Sequence, residues 1–348
     1  MKILVNGAGG RIGKIVTYEL CKLMNSNKNV ELVAINEIKG IDKTVKNFQE
    51  TDVIHGHLDW EVKQITQNCV DINNKMTYFF SEKDPKRIPF KEIGIELVIE
   101  CSGFYGDSNS PIKENLSKIF LEQGVKKVIQ TYPVKTADTT LIMGINHNTY
   151  DPTKHFCISN ASCTTKAITP PLQILLDNNV EIIALSMDTT HAATSSQEIL
   201  ESLGQISTHP TGATKALELV IPSLKNKMNG MAYRVPTQNG SFANLYIVVS
   251  SNEELNSEKI NSWIISAVKN NDYYKRVGLH EKDEAGTKDI IGRRENAVII
   301  LSKTNIIPLN FSNNGKKEYL ITLISGYDNE LGSAVDSVLL TDFISSKE

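Results

Sequence analysis

Apolar and polar positions alternate along this chain in two different styles. Before about position 160, short wholly apolar runs trade places with helical periodicity. KILVN (Lys2–Asn6) enters a glycine-rich turn. Positions 11–23 then repeat apolar residues at helical spacing (Ile12, Ile15, Val16, Leu20, Leu23), and ELVAIN (Glu31–Asn36) is a second apolar run. Strand, glycine turn, helix and strand make the βαβ unit of a doubly wound sheet. ELVIEC at 96–101 and KVIQT at 127–131 predict two further strands. Between them the pattern predicts a helix over 111–123, with Pro111 in its first turn and Gly124 past its end. The alternating runs within 59–80 predict small antiparallel hairpins.

After Ser162 the style changes. A helix over 163–176 is followed by long strand-like runs at 181–190, 230–235, 241–250, 297–302 and 318–325, with one helix, Ser257–Asn270, among them. Such runs with few helices predict a mixed, mostly antiparallel sheet. ATKALELVI after Thr211 and Gly212 reads as another helix, and positions 329–344 as a last one that returns to the first domain. The expectation is α/β: a doubly wound domain over 1–161, completed by 329–348, and an α+β domain over 162–328.

Composition narrows the function. At about 150 residues per domain, 348 residues suit two domains. The net charge of −3 supplies no basic field, so nucleic acid is not expected as the main partner. Five cysteines without a CxxC pair argue against a disulfide framework or zinc ribbon and for a reducing compartment. No run of 18 apolar residues predicts a membrane span. The N-terminal residues carry no signal-peptide pattern, which leads to the expectation of a cytoplasmic protein. His55 and His57 lack partner ligands at metal-site spacing, so no metal is expected.

The candidate chemistry lies in three places. Gly7-Ala8-Gly9-Gly10-Arg11-Ile12-Gly13 follows a strand and opens a helix, and Glu37 ends the next strand. Glycines let backbone approach a pyrophosphate, and an acidic residue there bonds a ribose hydroxyl and repels a 2′-phosphate, which favours NAD over NADP. Cys163 stands in the first turn of a predicted helix, where the dipole stabilises a thiolate. His191 ends a strand and is a candidate base for it. Isolated cysteines and histidines are more often packing residues, so spacing alone leaves this pair open. Arg234 in an otherwise strand-like run needs a carboxylate or an anionic ligand.

Together these segments resemble the phosphorylating glyceraldehyde-3-phosphate dehydrogenase family. The likeness runs through positions 6–13, 33–37, 52–56 (DVIHG), 84–89 (DPKRIP), 98–104 (VIECSGF), 143–147 (MGINH), 162–165, 189–194, 211–216, 230–237 and 327–332 (YDNELG). It implies a Rossmann domain holding NAD, an α+β catalytic domain, and a homo-oligomer, tetramer or dimer. It implies Cys163 as nucleophile and His191 as base in oxidising a phosphorylated aldehyde, by default glyceraldehyde 3-phosphate. A cysteine thioester is then released by inorganic phosphate. Asn6, Gly7, Gly10, Arg11, Ile12, Gly13, Glu37, Gly103, Thr131 and Asn329 would hold the dinucleotide. Ser162, Thr164, Thr211 and Gly212 would bind the attacking phosphate, and Thr194 and Arg234 the phosphate of the substrate. Alternatives are another small aldehyde such as erythrose 4-phosphate, a non-phosphorylating reaction, or a non-catalytic NAD- or RNA-binding homologue.

Departures from the family pattern are specific. The glycine loop has one extra residue, and Glu37 stands where aspartate is usual. Lys166 replaces a common asparagine. Leu331 and Ser333 replace a common tryptophan and tyrosine, and QTYP at 130–133 is bulkier than usual. From His191 to Thr211 is only 20 positions, about a dozen fewer than usual. That segment has no arginine, and His209 is its one basic side chain.

Overall fold

The apolar runs of the first half gather into one sheet. The computed structural model describes residues 1–106, 111, 114–193, 204–313 and 315–348. They form two compact units, Met1–Ile142 with His147–Ala161 and Ser333–Glu348, and Ser162–Gly332 with Met143–Asn146.

The first unit runs β1 (Lys2–Asn6), α1 (Arg11–Ser26), β2 (Glu31–Asn36), α2 (Ile41–Gln49), β3 (Val62–Thr66), β4 (Cys69–Ile72), β5 (Lys75–Phe80), α3 (Phe90–Ile93), β6 (Leu97–Glu100), α4 (Lys118–Glu122), β7 (Lys127–Gln130), β8 (Thr139–Thr140) and β9 (Cys157–Ser159). Its strands lie in the order β3-β4-β5-β2-β1-β6-β7-β9-β8. β1 pairs in parallel with β2 on one side and β6 on the other, so the chain reverses its direction of winding across β1. In such sheets ligands bind beyond the carboxyl ends of the strands at that reversal. The strands there are buried on both faces, and Leu4, Ala34, Val98 and Val128 pack with Phe90 and Phe120. β3, β4 and β5 form the predicted antiparallel hairpins.

One predicted helix is shorter than expected. Within 111–123 only α4, Lys118–Glu122, is helical; positions 112 and 113 lie outside the described residues. The reason is Asn115. Its side-chain oxygen accepts from Ser117 N at 3.0 Å and its amide donates to Gln130 Oε1 at 3.1 Å. Such local bonds compete with helical ones.

The second unit runs α5 (Cys163–Asp177), β10 (Glu181–Ala192), β11 (Ser207–Pro210), α6 (Ala213–Val220), β12 (Met228–Val235), β13 (Ser241–Ser251), α7 (Ser257–Asn270), β14 (Val277–His280), β15 (Ala297–Ile300), β16 (Asn305–Asn313) and β17 (Lys316–Tyr327). Its order is β11-β12-β10-β13-β17-β15-β14, with β16 also on β17. β10–β12 and β14–β15 are parallel and the other pairs antiparallel, the mixed sheet expected. α5 carries Pro170 and Pro171 inside the helix. Proline 171 cannot donate to the carbonyl four residues back. Ser325 Oγ from β17 donates to that Ala167 carbonyl instead, at 2.8 Å, and ties the helix to the sheet. The last helix is α8 (Leu331–Ser345).

Candidate active site

α5 begins at the cysteine. Ser162 is its N-cap, with the hydroxyl accepting from Thr165 N at 3.0 Å, so Cys163 occupies the first helical position. β10 ends one residue past His191. The two side chains meet: Cys163 Sγ and His191 Nε2 are 3.5 Å apart. Asn329, from the turn after β17, brings its amide Nδ2 to 3.8 Å from the sulfur and 3.2 Å from the same imidazole nitrogen. Ser241 Oγ donates to Asn329 Oδ1 at 2.9 Å, and Asn329 N donates to Asn239 Oδ1 at 2.9 Å.

Electrostatics single out this thiol. Burial pushes Cys163 up, but the hydrogen bond and charge of His191, the charge of Lys166 and the Asn329 amide outweigh it and bring it down to about 7. Burial takes three other thiols the opposite way: Cys21 and Cys157 are pushed up to about 12, and Cys101 well above its ordinary value. Cys163 combines partial exposure with thiolate character. Iodoacetamide at neutral pH is therefore expected to label Cys163 at least tenfold faster than these three, read by peptide mapping.

The histidine is held on all sides. Its Nδ1 lies 2.7 Å from the Ala192 carbonyl and in hydrogen-bond contact with Arg234, whose NH1 also donates to the Ala192 carbonyl at 3.2 Å. Residue for residue, His191 on β10 is paired with Arg234 on β12. Tyr327 abuts the imidazole edge to face, with ring centres 5.9 Å apart. The Tyr327 hydroxyl bonds Thr164 Oγ1 at 2.9 Å and Thr189 Oγ1 at 2.7 Å, joining α5, β10 and β17.

Sequence reading therefore located Cys163, His191, Arg234 and Asn329, which the fold brings together. It missed Tyr327, Thr189, Asn239 and Ser241. Tyr327 and Thr189 stood in stretches already noted, YDNELG and 189–194; Asn239 and Ser241 carried no signal. The hydroxyl of Thr164 is spent inside, on Tyr327. Thr211 Oγ1 accepts from Ala213 N at 3.2 Å, and Gly212 caps α6 without a side chain. Thr194 lies outside the described residues. Tyr327→Phe is expected to lower kcat a few fold while leaving the fold intact, because a hydroxyl lost from a bonded trio leaves Thr164 and Thr189 to pair anew or hydrate; steady-state kinetics check this.

The dinucleotide candidates lie in the first unit. Gly7 has φ 78° and a side chain there would meet the Ser102 backbone at 2.8 Å; one on Gly13 would meet the Gly7 carbonyl at 2.0 Å. The N terminus of α1 follows with no side-chain cap. Glu37 accepts from Gly9 N at 2.9 Å and Lys39 N at 3.1 Å. Asn6 bridges Asn36 and the Glu100 carboxyl. Burial raises Glu100 to about 7 against bonds from Ser102, Asn6 and Gly103. Thr131 Oγ1 donates to the Glu100 carbonyl at 3.1 Å, and Gly103 has φ 72°. Arg11 and Ile12 open α1. A cavity of about 470 Å³ opens here, lined by Asn6, Gly7, Gly10, Glu37, Lys39 and Cys101 among others. A turn closed to side chains at Gly7 and Gly13, an uncapped helix start and a fixed carboxylate fit NAD. Gly13→Ala is expected to weaken NAD binding at least tenfold by calorimetry, since nothing but backbone is available to yield. Among the described residues no cluster of three or more His, Cys, Asp or Glu is placed to hold a metal ion.

Comparison with known proteins gives one family. Its models match over residues 1–108 (glyceraldehyde 3-phosphate dehydrogenase, NAD binding domain) and 162–329 (the C-terminal domain). Similar curated proteins include the glyceraldehyde-3-phosphate dehydrogenase of Geobacillus stearothermophilus, 33% identical over 100% of this chain and 99% of its own. Glyceraldehyde-3-phosphate dehydrogenase 1 of Bacillus subtilis is 32% identical over the same shares, and the Chlamydia pneumoniae protein is 31% identical over 99% of this chain and 98% of its own.

Proposed function

Because the chain belongs to the glyceraldehyde-3-phosphate dehydrogenase family, we propose that its NAD-dependent oxidation of a phosphorylated aldehyde is carried by Cys163 and His191. The observation behind this is the 3.5 Å contact between a thiol brought down to about 7 and an imidazole.

The chemistry then follows from the groups in place. The Cys163 thiolate attacks the aldehyde carbon and forms a hemithioacetal, whose oxyanion takes a proton from His191 Nε2. Bound NAD supplies the acceptor for hydride. As the carbonyl is regenerated, His191 takes the hydroxyl proton back, and the product is a thioester on Cys163. Asn329 steadies both partners of the pair. Inorganic phosphate adds to the thioester carbonyl and expels the Cys163 thiolate, giving an acyl phosphate; Ser162, Thr211, Gly212 and Thr164, the last through its first-turn N–H rather than its hydroxyl, hold that phosphate. Arg234 and Thr194 hold the phosphate of the aldehyde. Arg234 contacts His191 Nδ1, so a phosphate bound to Arg234 also weakens its hold on the base. The dinucleotide is held by Asn6, Gly7, Gly10, Arg11, Ile12, Gly13, Glu37, Gly103, Thr131 and Asn329.

The default aldehyde is glyceraldehyde 3-phosphate, and the domain limits are 1–161 with 329–348, and 162–328. The working form is a homo-oligomer in the cytoplasm; light scattering reads the first. No helix among the described residues is long and apolar enough to cross a membrane.

The test is reduced-nicotinamide formation from NAD and glyceraldehyde 3-phosphate with and without inorganic phosphate. Fast, phosphate-dependent turnover is expected. Turnover equally fast without phosphate overturns the acyl-phosphate outcome, and turnover of another phosphorylated aldehyde alone overturns the default substrate.

A further inference from the structure

The shortened segment before Thr211 ends in a strand, β11, that lies beside the catalytic row. β11 pairs antiparallel with β12, placing Ser207 opposite Arg234 and His209 opposite Ala232. β12 in turn pairs with β10, placing Arg234 beside His191 and Ala232 beside Thr189. Paired residues share a sheet face, and residues two apart on a strand share it too. Ser207 and His209 therefore stand on the inner face with His191 and Arg234. The same face receives Thr211: a side chain on Gly230 of β12 would meet Thr211 Cγ2 at 3.2 Å.

We propose that His209, positioned by Ser207, is an anion-binding residue of this site that takes a phosphoryl oxygen. The inference rests on the dehydrogenase reading and adds a specificity-determining residue to it. His209 Nε2 bonds Ser207 Oγ at 3.1 Å, which fixes the ring and leaves its other nitrogen without a partner among the described residues. Neither side chain is fully buried, so a ligand reaches them. No carboxylate among the described residues pairs with His209. One strand away, the buried Nε of Arg234 also has no partner among the described residues. Between His191 and Thr211 the sequence holds no lysine or arginine, so His209 is the one side chain there able to carry positive charge. An imidazole and a guanidinium on one face, with Thr211 and the start of α6 after them, suit the several oxygens of a phosphate. That phosphate is either the attacking inorganic phosphate or the one carried by the aldehyde.

Full-length wild type, H209A, H209Q and H209R separate these outcomes. The KM for inorganic phosphate or for glyceraldehyde 3-phosphate is expected to rise about tenfold in H209A and H209Q, with kcat within about twofold, and to return in H209R. A rise for inorganic phosphate alone assigns the attacking phosphate; a rise for the aldehyde alone assigns the substrate phosphate. Unchanged KM values, or a loss of kcat with KM intact, overturn the proposal. If wild type does not turn over, the dehydrogenase reading has failed on its own. Titration with inorganic phosphate and glycerol 3-phosphate, followed by ³¹P resonance, then decides His209: weaker binding of either in H209A supports the site, and equal binding of both overturns it.

Discussion

Cys163→Ser is expected to lower kcat on the order of 10⁴-fold or more while NAD binding and thermal stability stay close to wild type. The sulfur is the one atom through which both half-reactions pass. A serine hydroxyl at the same helix start has no comparable acidity, so the dipole and His191 together leave it protonated at neutral pH. The side chain is also a poor leaving group when phosphate attacks, so the second step suffers with the first. Stability is spared because Ser162, not residue 163, supplies the cap of α5. The measurement is single-turnover formation of reduced nicotinamide beside a calorimetric NAD titration. Turnover within tenfold of wild type would remove Cys163 from the reaction.

Much of this was legible beforehand, for physical reasons that differ by element. β1, β2 and β6 are buried on both faces and read as unbroken apolar runs, and the start of α1 is written in glycines, of which Gly7 and Gly13 stand where backbone leaves no room for a side chain. α5 announces itself through Ser162 and the bond it makes to Thr165. By contrast α2 was not foreseen, because it is only nine residues long and buries just Thr44, Val45 and Phe48, a stripe too short to stand out as helical periodicity. The helix expected over 111–123 failed on a side chain, Asn115, whose preference for Ser117 and Gln130 no periodicity reveals. The catalytic pair was visible as two residues with suitable neighbours, yet its support was not. Tyr327 reaches Thr164 and Thr189 from more than 130 positions away. β11 likewise gains its meaning from the register that sets Ser207 against Arg234, which is a property of three strands and not of its four residues.

His191→Asn keeps a planar polar group of similar size but removes both functions of the imidazole, and its consequences separate with pH. In the wild type burial pushes the thiol up and His191 is the leading influence bringing it down to about 7. Without the imidazole, burial prevails and the thiol returns to or above its ordinary 9.0. A group with pKa near 7 is about half ionised at pH 7, whereas one at 9 is about 1% ionised, a loss of roughly fiftyfold in nucleophile. The missing base costs a further factor of about 10²–10⁴. The combined fall in kcat/KM at pH 7 is expected to be 10³-fold or more by these same factors. The sign of the pH dependence tells the two apart. Raising pH deprotonates the thiol of the variant, so iodoacetamide labelling of Cys163, expected to be half-maximal near pH 7 and to level off above about pH 8 in wild type, is expected to keep climbing past pH 9 in the variant. Dehydrogenase turnover does not recover in step, because hydroxide in bulk water does not replace a base in contact with the hemithioacetal. Recovery of turnover together with labelling would assign His191 to thiolate formation alone, and labelling unchanged from wild type would detach the histidine from the thiol altogether.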